Sequence, residues 1–312
     1  MRLAWRLQRF ELTVLVGACL ALTIGGALVA WQLGNAGAEL ATCYRTSPDS
    51  GAADWPCRAI DGWVIQLSGV GTLLTGLGTV APFLMGVFLG APIVAREIEH
   101  RTAPIAWSLA PSRRGWLMGR ILPVAGIVAL ALLALGQASE AVLLATPPGE
   151  IDARHLGMHG PILAVRGLTV LAVGFAIGTI LGRSLPAILL TGLVTAAVFV
   201  GIHVGRYEVM RAEAAWIDPQ QGGWSYNYVH ESGFRSDETG EIIGFEEAFE
   251  RYPDVFAEEQ GDQIPPGMTM VYRVNPPDQY PSFVVREAGV TAVLGVAAGG
   301  LSLALVRRRR PE

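Results

Sequence analysis

Lysine is absent from this chain of 312 residues, and all 23 residues counted as lysine or arginine are arginine. The nucleotide-binding P-loop, G-x-x-x-x-G-K-[ST], needs its lysine for the terminal phosphates. The chain therefore cannot carry a standard ATP site of its own. It also lacks H-E-x-x-H, G-x-S-x-G and paired-cysteine metal motifs. We predict no catalytic residue, and no metal or cofactor bound by this chain.

Charge of either sign is scarce. Charged residues make up 16% of the chain, whereas soluble globular proteins contain about 25%. Hydrophobic residues make up 51%, and the mean hydropathy is +0.41. This composition excludes an ordinary soluble domain and predicts a polytopic membrane protein in contact with the lipid bilayer. We expect no nucleic-acid partner.

Long apolar stretches are abundant in place of charge. A helix needs roughly 20 apolar residues to cross the hydrocarbon core, and six stretches reach that length. The first is too long for a secretory signal, and no small-residue cleavage site follows it. We predict an all-α fold with six transmembrane helices near residues 12–33, 70–95, 119–145, 162–182, 185–205 and 287–306.

Arginine is distributed unequally between alternate connections, which predicts the orientation. With the N-terminus inside, the inner segments contain 13 arginines, whereas the two short outer loops contain three arginines and six acidic residues. Both termini are therefore predicted inside. Arginine in place of lysine, with abundant alanine and glycine, suggests a GC-rich bacterial genome. We accordingly expect a multi-pass protein of the bacterial inner membrane.

Three regions follow from this topology. Residues 1–205 contain the first five spans, and residues 287–312 contain the sixth span and a basic tail. Residues 206–286 lie outside as an exoplasmic domain with 15 acidic residues and six arginines. Helical spacing within this domain predicts a short amphipathic helix, with apolar positions at Ile242, Phe245, Phe249 and Tyr252.

Two of the three cysteines, Cys43 and Cys57, fall in the first outer loop. Disulfides persist in exported segments, so we predict a bond between these two residues. The alternative is a pair of free thiols, because spacing alone does not fix the geometry.

The connection over residues 91–120 carries an unusual amount of patterned charge. It contains five arginines, two of which are Arg96 and Arg101, and two glutamates, Glu97 and Glu99. The i, i+4 spacing of Glu97 and Arg101 is typical of a charged helix end, and Thr102 or Ser112 can cap the next helix. Alternatively, the arginines only hold the loop inside through anionic lipids. The two glutamates argue against that alternative.

This connection reads GAPIVAREIEHRTAP over 90–104 and SLAPSRRGWL over 108–117. It resembles the connection between the second and third spans of ABC-type-2 permeases, the membrane subunits of ATP-driven, mostly exporting ABC transporters. The family pattern there is an apolar helix end, a basic-acidic turn with a glutamate, a Gly-Thr or similar pair, and Pro-x-Ser-Arg before the next helix. The resemblance extends to the layout of six spans with an enlarged outer loop. Arg101 stands where glycine often precedes the threonine.

The resemblance implies a function and a set of partners. The connection would be a coupling helix on a cytoplasmic P-loop ATPase subunit, which would bind ATP and magnesium. A second permease subunit, identical or related, would complete the transport path. The contact residues implied are Arg96, Glu97, Glu99, Arg101, Thr102 and Arg113.

Ionisable groups inside apolar spans are functional candidates. Glu140 lies near the outer end of the third predicted span and Arg166 lies a similar distance into the fourth. They form either a structural ion pair or part of a substrate path. Small residues at G-x-x-x-G spacing allow close helix approach, within the chain or with a second subunit. They occur at positions 174, 178 and 182 and again at 295 and 299.

Two further functions compete with the permease hypothesis. One is an embedded enzyme that modifies lipid or peptide, and the other is a membrane-anchored sensor, each using the exoplasmic domain. The lack of a nucleophile with a base and an orienting group disfavours the enzyme. A sensor has no use for so charged an inner connection.

Overall fold

The computed structural model describes residues 2–46, 55–102, 112–146, 160–218, 228–256, 264–276 and 279–308. These residues form two compact units. The helical unit comprises the described residues up to Thr146, from Gly160 to Val200, and from Arg286 onward. The sheet unit comprises the described residues between Gly201 and Val285.

Among the described residues, six helices are long and apolar enough to cross a membrane, which confirms the six predicted spans. Two of them have 45 residues each, or about 68 Å at 1.5 Å per residue. They exceed the hydrocarbon thickness of about 30 Å, and hydropathy detects only part of each. The helices are α1 Arg2–Thr46, α2 Trp55–Glu99, α3 Arg113–Ala145, α4 Ile162–Leu181, α5 Ser184–Glu213 and α8 Tyr280–Arg308.

The backbones of α2 and α4 lie in direct contact. A Cβ atom built on Gly90 would be 2.7 Å from the Leu171 carbonyl oxygen, and one on Gly178 would be 2.5 Å from the Ala91 carbonyl oxygen. Gly174 meets the same part of α2. The predicted close approach is confirmed for Gly174 and Gly178, within the chain. Gly182 instead ends α4, with a φ of 63°.

A continuous apolar core surrounds this contact. It contains Met85 and Leu89 of α2, Leu132 of α3 and Leu171 of α4, all nearly inaccessible to solvent. By contrast, α5 and α8 expose many large apolar side chains, including Leu193. An apolar surface of this extent suits a lipid environment better than water.

A disulfide joins Cys43, near the end of α1, to Cys57, near the start of α2, with Cα atoms 5.9 Å apart. This confirms the predicted bond, and the separation is ordinary for a disulfide. At the other end of the same helices, Glu11 of α1 bonds Arg96 of α2. The two helices are therefore antiparallel and linked at both ends.

The sheet unit corrects the all-α prediction. In the described part of this unit, four antiparallel strands lie in the order β1-β4-β2-β3. Phe234 and Ile243 pack against the short helices. The predicted amphipathic helix is present from Phe245, but Ile242 belongs to a strand. The elements are β1 Ala215–Ile217, β2 Tyr228–Ser236, β3 Ile242–Gly244, α6 Phe245–Arg251, α7 Pro253–Phe256 and β4 Met268–Asn275.

We predict that Gly178→Ala destabilises the protein, because the added methyl group overlaps the Ala91 carbonyl oxygen. Overpacking of this kind costs about 1–3 kcal/mol. The measurement is thermal unfolding of the purified protein in detergent. Gly299→Ala in α8 is the matched control, since nothing lies within 4 Å of a Cβ there. Equal unfolding temperatures for the two variants would contradict the backbone contact.

Candidate functional site

Helix α2 ends in a defined turn. The Arg101 amide donates to the Ile98 carbonyl at 3.1 Å, and the Thr102 amide donates to the Glu97 carbonyl at 3.0 Å. These are the two bonds of a Schellman motif, whose left-handed position usually belongs to glycine. Arg101 occupies it with a φ of 56°. Arginine here adopts a conformation that is unfavourable by about 1–2 kcal/mol for a residue with a Cβ.

The two residues predicted as helix caps, Thr102 and Ser112, have different roles in the structure. Ser112 is the N-cap of α3, and its hydroxyl accepts from the Gly115 amide at 3.0 Å, as predicted. The Thr102 hydroxyl donates to the Glu97 carbonyl at 3.2 Å and so caps the end of α2. Whether Thr102 also begins a short helix depends on residues 103–111, which lie outside the described residues. The predicted i, i+4 relation of Glu97 and Arg101 on one helix is wrong, because α2 ends at Glu99.

Three side chains near the end of α2 contact three other helices. Arg96 donates to Glu11 of α1 at 2.7 Å, and Glu97 forms an ion pair with Arg120 of α3. The Glu99 carboxylate accepts from the backbone amide and the hydroxyl of Ser184, at 2.9 and 2.7 Å. We call these residues the helix-end brace: Glu11, Arg96, Glu97, Glu99, Arg120 and Ser184.

Helix electrostatics and partial burial explain the contacts that Glu99 and Glu97 make in the brace. Ser184 is the first residue of α5, so Glu99 places negative charge at the positive end of that helix. The side chains of Glu97 and Arg120 are only 13% and 24% exposed, and the Arg120 guanidinium lies 5.0 Å from the centre of the Trp116 ring. Partial burial makes the loss of one partner more harmful than at a surface pair, because the other charge is left unpaired in surroundings with little water.

The brace divides the predicted contact residues into two groups. Arg96, Glu97 and Glu99 bond within the chain, whereas Arg101 and Thr102 lie exposed just beyond the helix. The backbone of Arg113 begins α3, but its side chain and residues 103–111 fall outside the described residues. Glu11 was missed by sequence analysis, although an acid at the start of an apolar stretch was a signal.

Arg166 has a different carboxylate partner from the predicted one. Its Nε donates to Glu287 Oε1 of α8 at 3.0 Å. Glu140 lies beside Gly160, where the Gly160 amide donates to the Gly136 carbonyl at 3.2 Å. Arg166 is six residues further along, or about 9 Å in a helix, so the predicted pair is corrected to Arg166 and Glu287. Whether Glu140 borders a substrate path stays a prediction.

Comparison with known protein families identifies a match to this chain. The family described as ABC-2 membrane transporter related matches residues 12–206, which include α2, α3 and α4 entirely. A search of curated proteins finds no match.

We predict that Glu97→Ala destabilises the helical unit, because it leaves the partly buried Arg120 without its carboxylate. Loss of one partner of a buried pair costs about 3–5 kcal/mol, and partial exposure puts the expected effect below that range. Glu97→Ala combined with Arg120→Ala should recover part of the loss. Thermal unfolding in detergent measures both.

The matched control for this ion pair is Glu247→Ala in the sheet unit. Glu247 forms an exposed i, i+4 pair with Arg251 at 3.8 Å, and exposed pairs contribute little. Its unfolding temperature should therefore change little. A loss as large as that of Glu97→Ala would contradict the stronger role of the brace.

Proposed function

Because the chain belongs to the ABC-2 membrane transporter related family, we propose that it is the permease subunit of an ATP-driven ABC exporter. It works with a separate P-loop ATPase, which binds ATP and magnesium. The absence of lysine supports this division of labour, since the chain has no P-loop of its own. A second permease subunit, identical or related, completes the path.

The helix-end brace is the observation that carries the proposal. Displacement of the turn after α2 is transmitted to three other helices. Arg96 connects it to α1, Glu97 to α3 and Glu99 to α5. A single contact with the ATPase can therefore move four helices together. In this arrangement the brace residues transmit force, and Arg101, Thr102 and Arg113 touch the ATPase.

The proposed orientation puts the brace in the cytoplasm and the disulfide outside. Glu11 pairs with Arg96 at one end of α1 and α2, and Cys43 bonds Cys57 at the other. Disulfides persist in oxidising compartments such as the bacterial periplasm, which supports placing that end outside the inner membrane. An odd number of spans precedes residue 206, so residues 206–286 are exoplasmic in the proposed orientation.

We expect Arg101→Gly to weaken binding of the ATPase about tenfold, which corresponds to ~1.4 kcal/mol. Glycine suits the left-handed conformation at this position, so the turn is retained while the guanidinium is lost. The chain is co-expressed with the P-loop ATPase expected in an adjacent reading frame, and complex formation is measured after purification. Glu238→Gly, at an exposed turn of the sheet unit, is the control for loss of an exposed charged side chain.

Glu99→Ala separates transmission from binding. It removes the link to α5 but leaves the turn, so the complex should assemble while transport-linked ATP hydrolysis falls several-fold. If Arg101→Gly binds the ATPase normally, the contact lies elsewhere. If Glu99→Ala hydrolyses ATP and transports like the unaltered chain, the brace does not transmit force.

Topology is tested by cysteine labelling in spheroplasts. A membrane-impermeant maleimide should label Asp237→Cys without lysis and His100→Cys only after permeabilisation. The native cysteines give a low background, because Cys19 is buried and the other two are bonded. Labelling of His100→Cys in intact spheroplasts would reverse the proposed orientation.

A further inference from the structure

Three helices meet at the Arg166 side chain of α4, and a ring from a fourth helix packs beside them. Its Nε donates to Glu287 of α8, and its guanidinium lies 5.9 Å from the centre of the Phe199 ring of α5. The Phe199 ring meets Phe83 of α2 edge to face, with centroids 5.0 Å apart. We call Phe83, Arg166, Phe199 and Glu287 the membrane cluster, since all four lie in helices that can cross a bilayer.

A second polar feature lies one turn from the ion pair. Thr169 of α4 donates from its hydroxyl to the Thr291 carbonyl of α8 at 2.9 Å. Thr291 is completely buried, and its own hydroxyl has no hydrogen-bond partner among the described residues. Thr291 follows Glu287 by four residues and thus shares its helix face. A buried hydroxyl without a partner is a hydrogen-bonding group that a ligand can use.

The stability of the fold does not require an ion pair at this position. Replacement of a buried ion pair by apolar residues of similar size is often neutral or stabilising, and ionisable residues within spans usually mark substrate or ion pathways. The aromatic rings beside the guanidinium add an apolar contact surface and a cation–π interaction. A charged group next to apolar rings is suited to an amphipathic ligand, which has one charged part and one apolar part.

We propose that the membrane cluster binds the anionic group of an amphipathic substrate, with Phe199 and Phe83 contacting its apolar part. The relative exposure of the two charged side chains indicates whether the ligand is an anion or a cation. The Arg166 side chain is 14% exposed and that of Glu287 is 3% exposed, so an arriving ligand reaches the cation first. Glu287 is then the resident counter-ion that the anion displaces. This proposal rests on the proposed transport function and names its substrate class.

The test is direct binding to the purified full chain in nanodiscs of zwitterionic lipid. The probes are radiolabelled dodecanoate, dodecanol and dodecyltrimethylammonium, which share a chain and differ in charge. Dodecanoate should bind at least about tenfold more tightly than the other two, a difference typical of one charged contact. Arg166→Gln should reduce dodecanoate to the level of dodecanol. Glu287→Gln should tighten dodecanoate several-fold, because the competing carboxylate is gone.

Two variants keep the test decisive. Arg166→Gln combined with Glu287→Gln leaves no buried charge unpaired, so it should fold and still lose the preference for dodecanoate. Arg183→Gln removes an exposed arginine of the same unit and should keep that preference. Since binding is measured without the ATPase, failure here is distinct from failure of ATPase assembly.

Several results would overturn the proposal. Equal binding of the three probes, or preferential binding of the cation, excludes an anion site. A preference for dodecanoate that survives loss of Arg166 places the site elsewhere. If phosphatidylglycerol in the nanodisc abolishes dodecanoate binding, the cluster holds a lipid headgroup and the substrate assignment is wrong.

Discussion

Direct backbone contact between α2 and α4 is the constraint on which the helical unit depends. Without side chains at positions 90 and 178, the two helices approach to the limit set by their carbonyl oxygens. The approach fixes α2 at the centre, with its start bonded to α1 and its end bonded to three helices. The charged side chains at the end of α2 meet their partners because helix packing places them close together.

Charge is scarce in this chain, and several charged groups of the helical unit form contacts between helices. An unpaired ion is costly in apolar surroundings, so each one restricts the arrangements available to the chain. Arg166 and Glu287 position α8, which otherwise presents mostly apolar side chains to its surroundings. Glu99 similarly connects the start of α5. A few polar contacts thus specify positions that apolar packing alone leaves free.

Sequence patterns predicted those features that depend on residues near one another in the chain or on the hydropathy of a segment. The six spans, the glycines at 174 and 178, the Ser112 cap and the Cys43–Cys57 bond followed from hydropathy, spacing and compartment. Partners distant in sequence did not follow, because Arg166 and Glu287 are 121 residues apart. The sheet was missed because β2 mixes Glu231, Gly233 and Arg235 with apolar residues and shows no clean alternation.

Arg101 is the one residue other than glycine with a positive φ in the described part of the chain. A chain selected only for stability would place glycine there, since the left-handed conformation disfavours any Cβ. Local rules are broken mainly where function compensates. In the proposed complex, the strained and exposed Arg101 would exchange some stability for a contact with the ATPase, and the same feature can be sought at this turn in proteins with no recognisable motif.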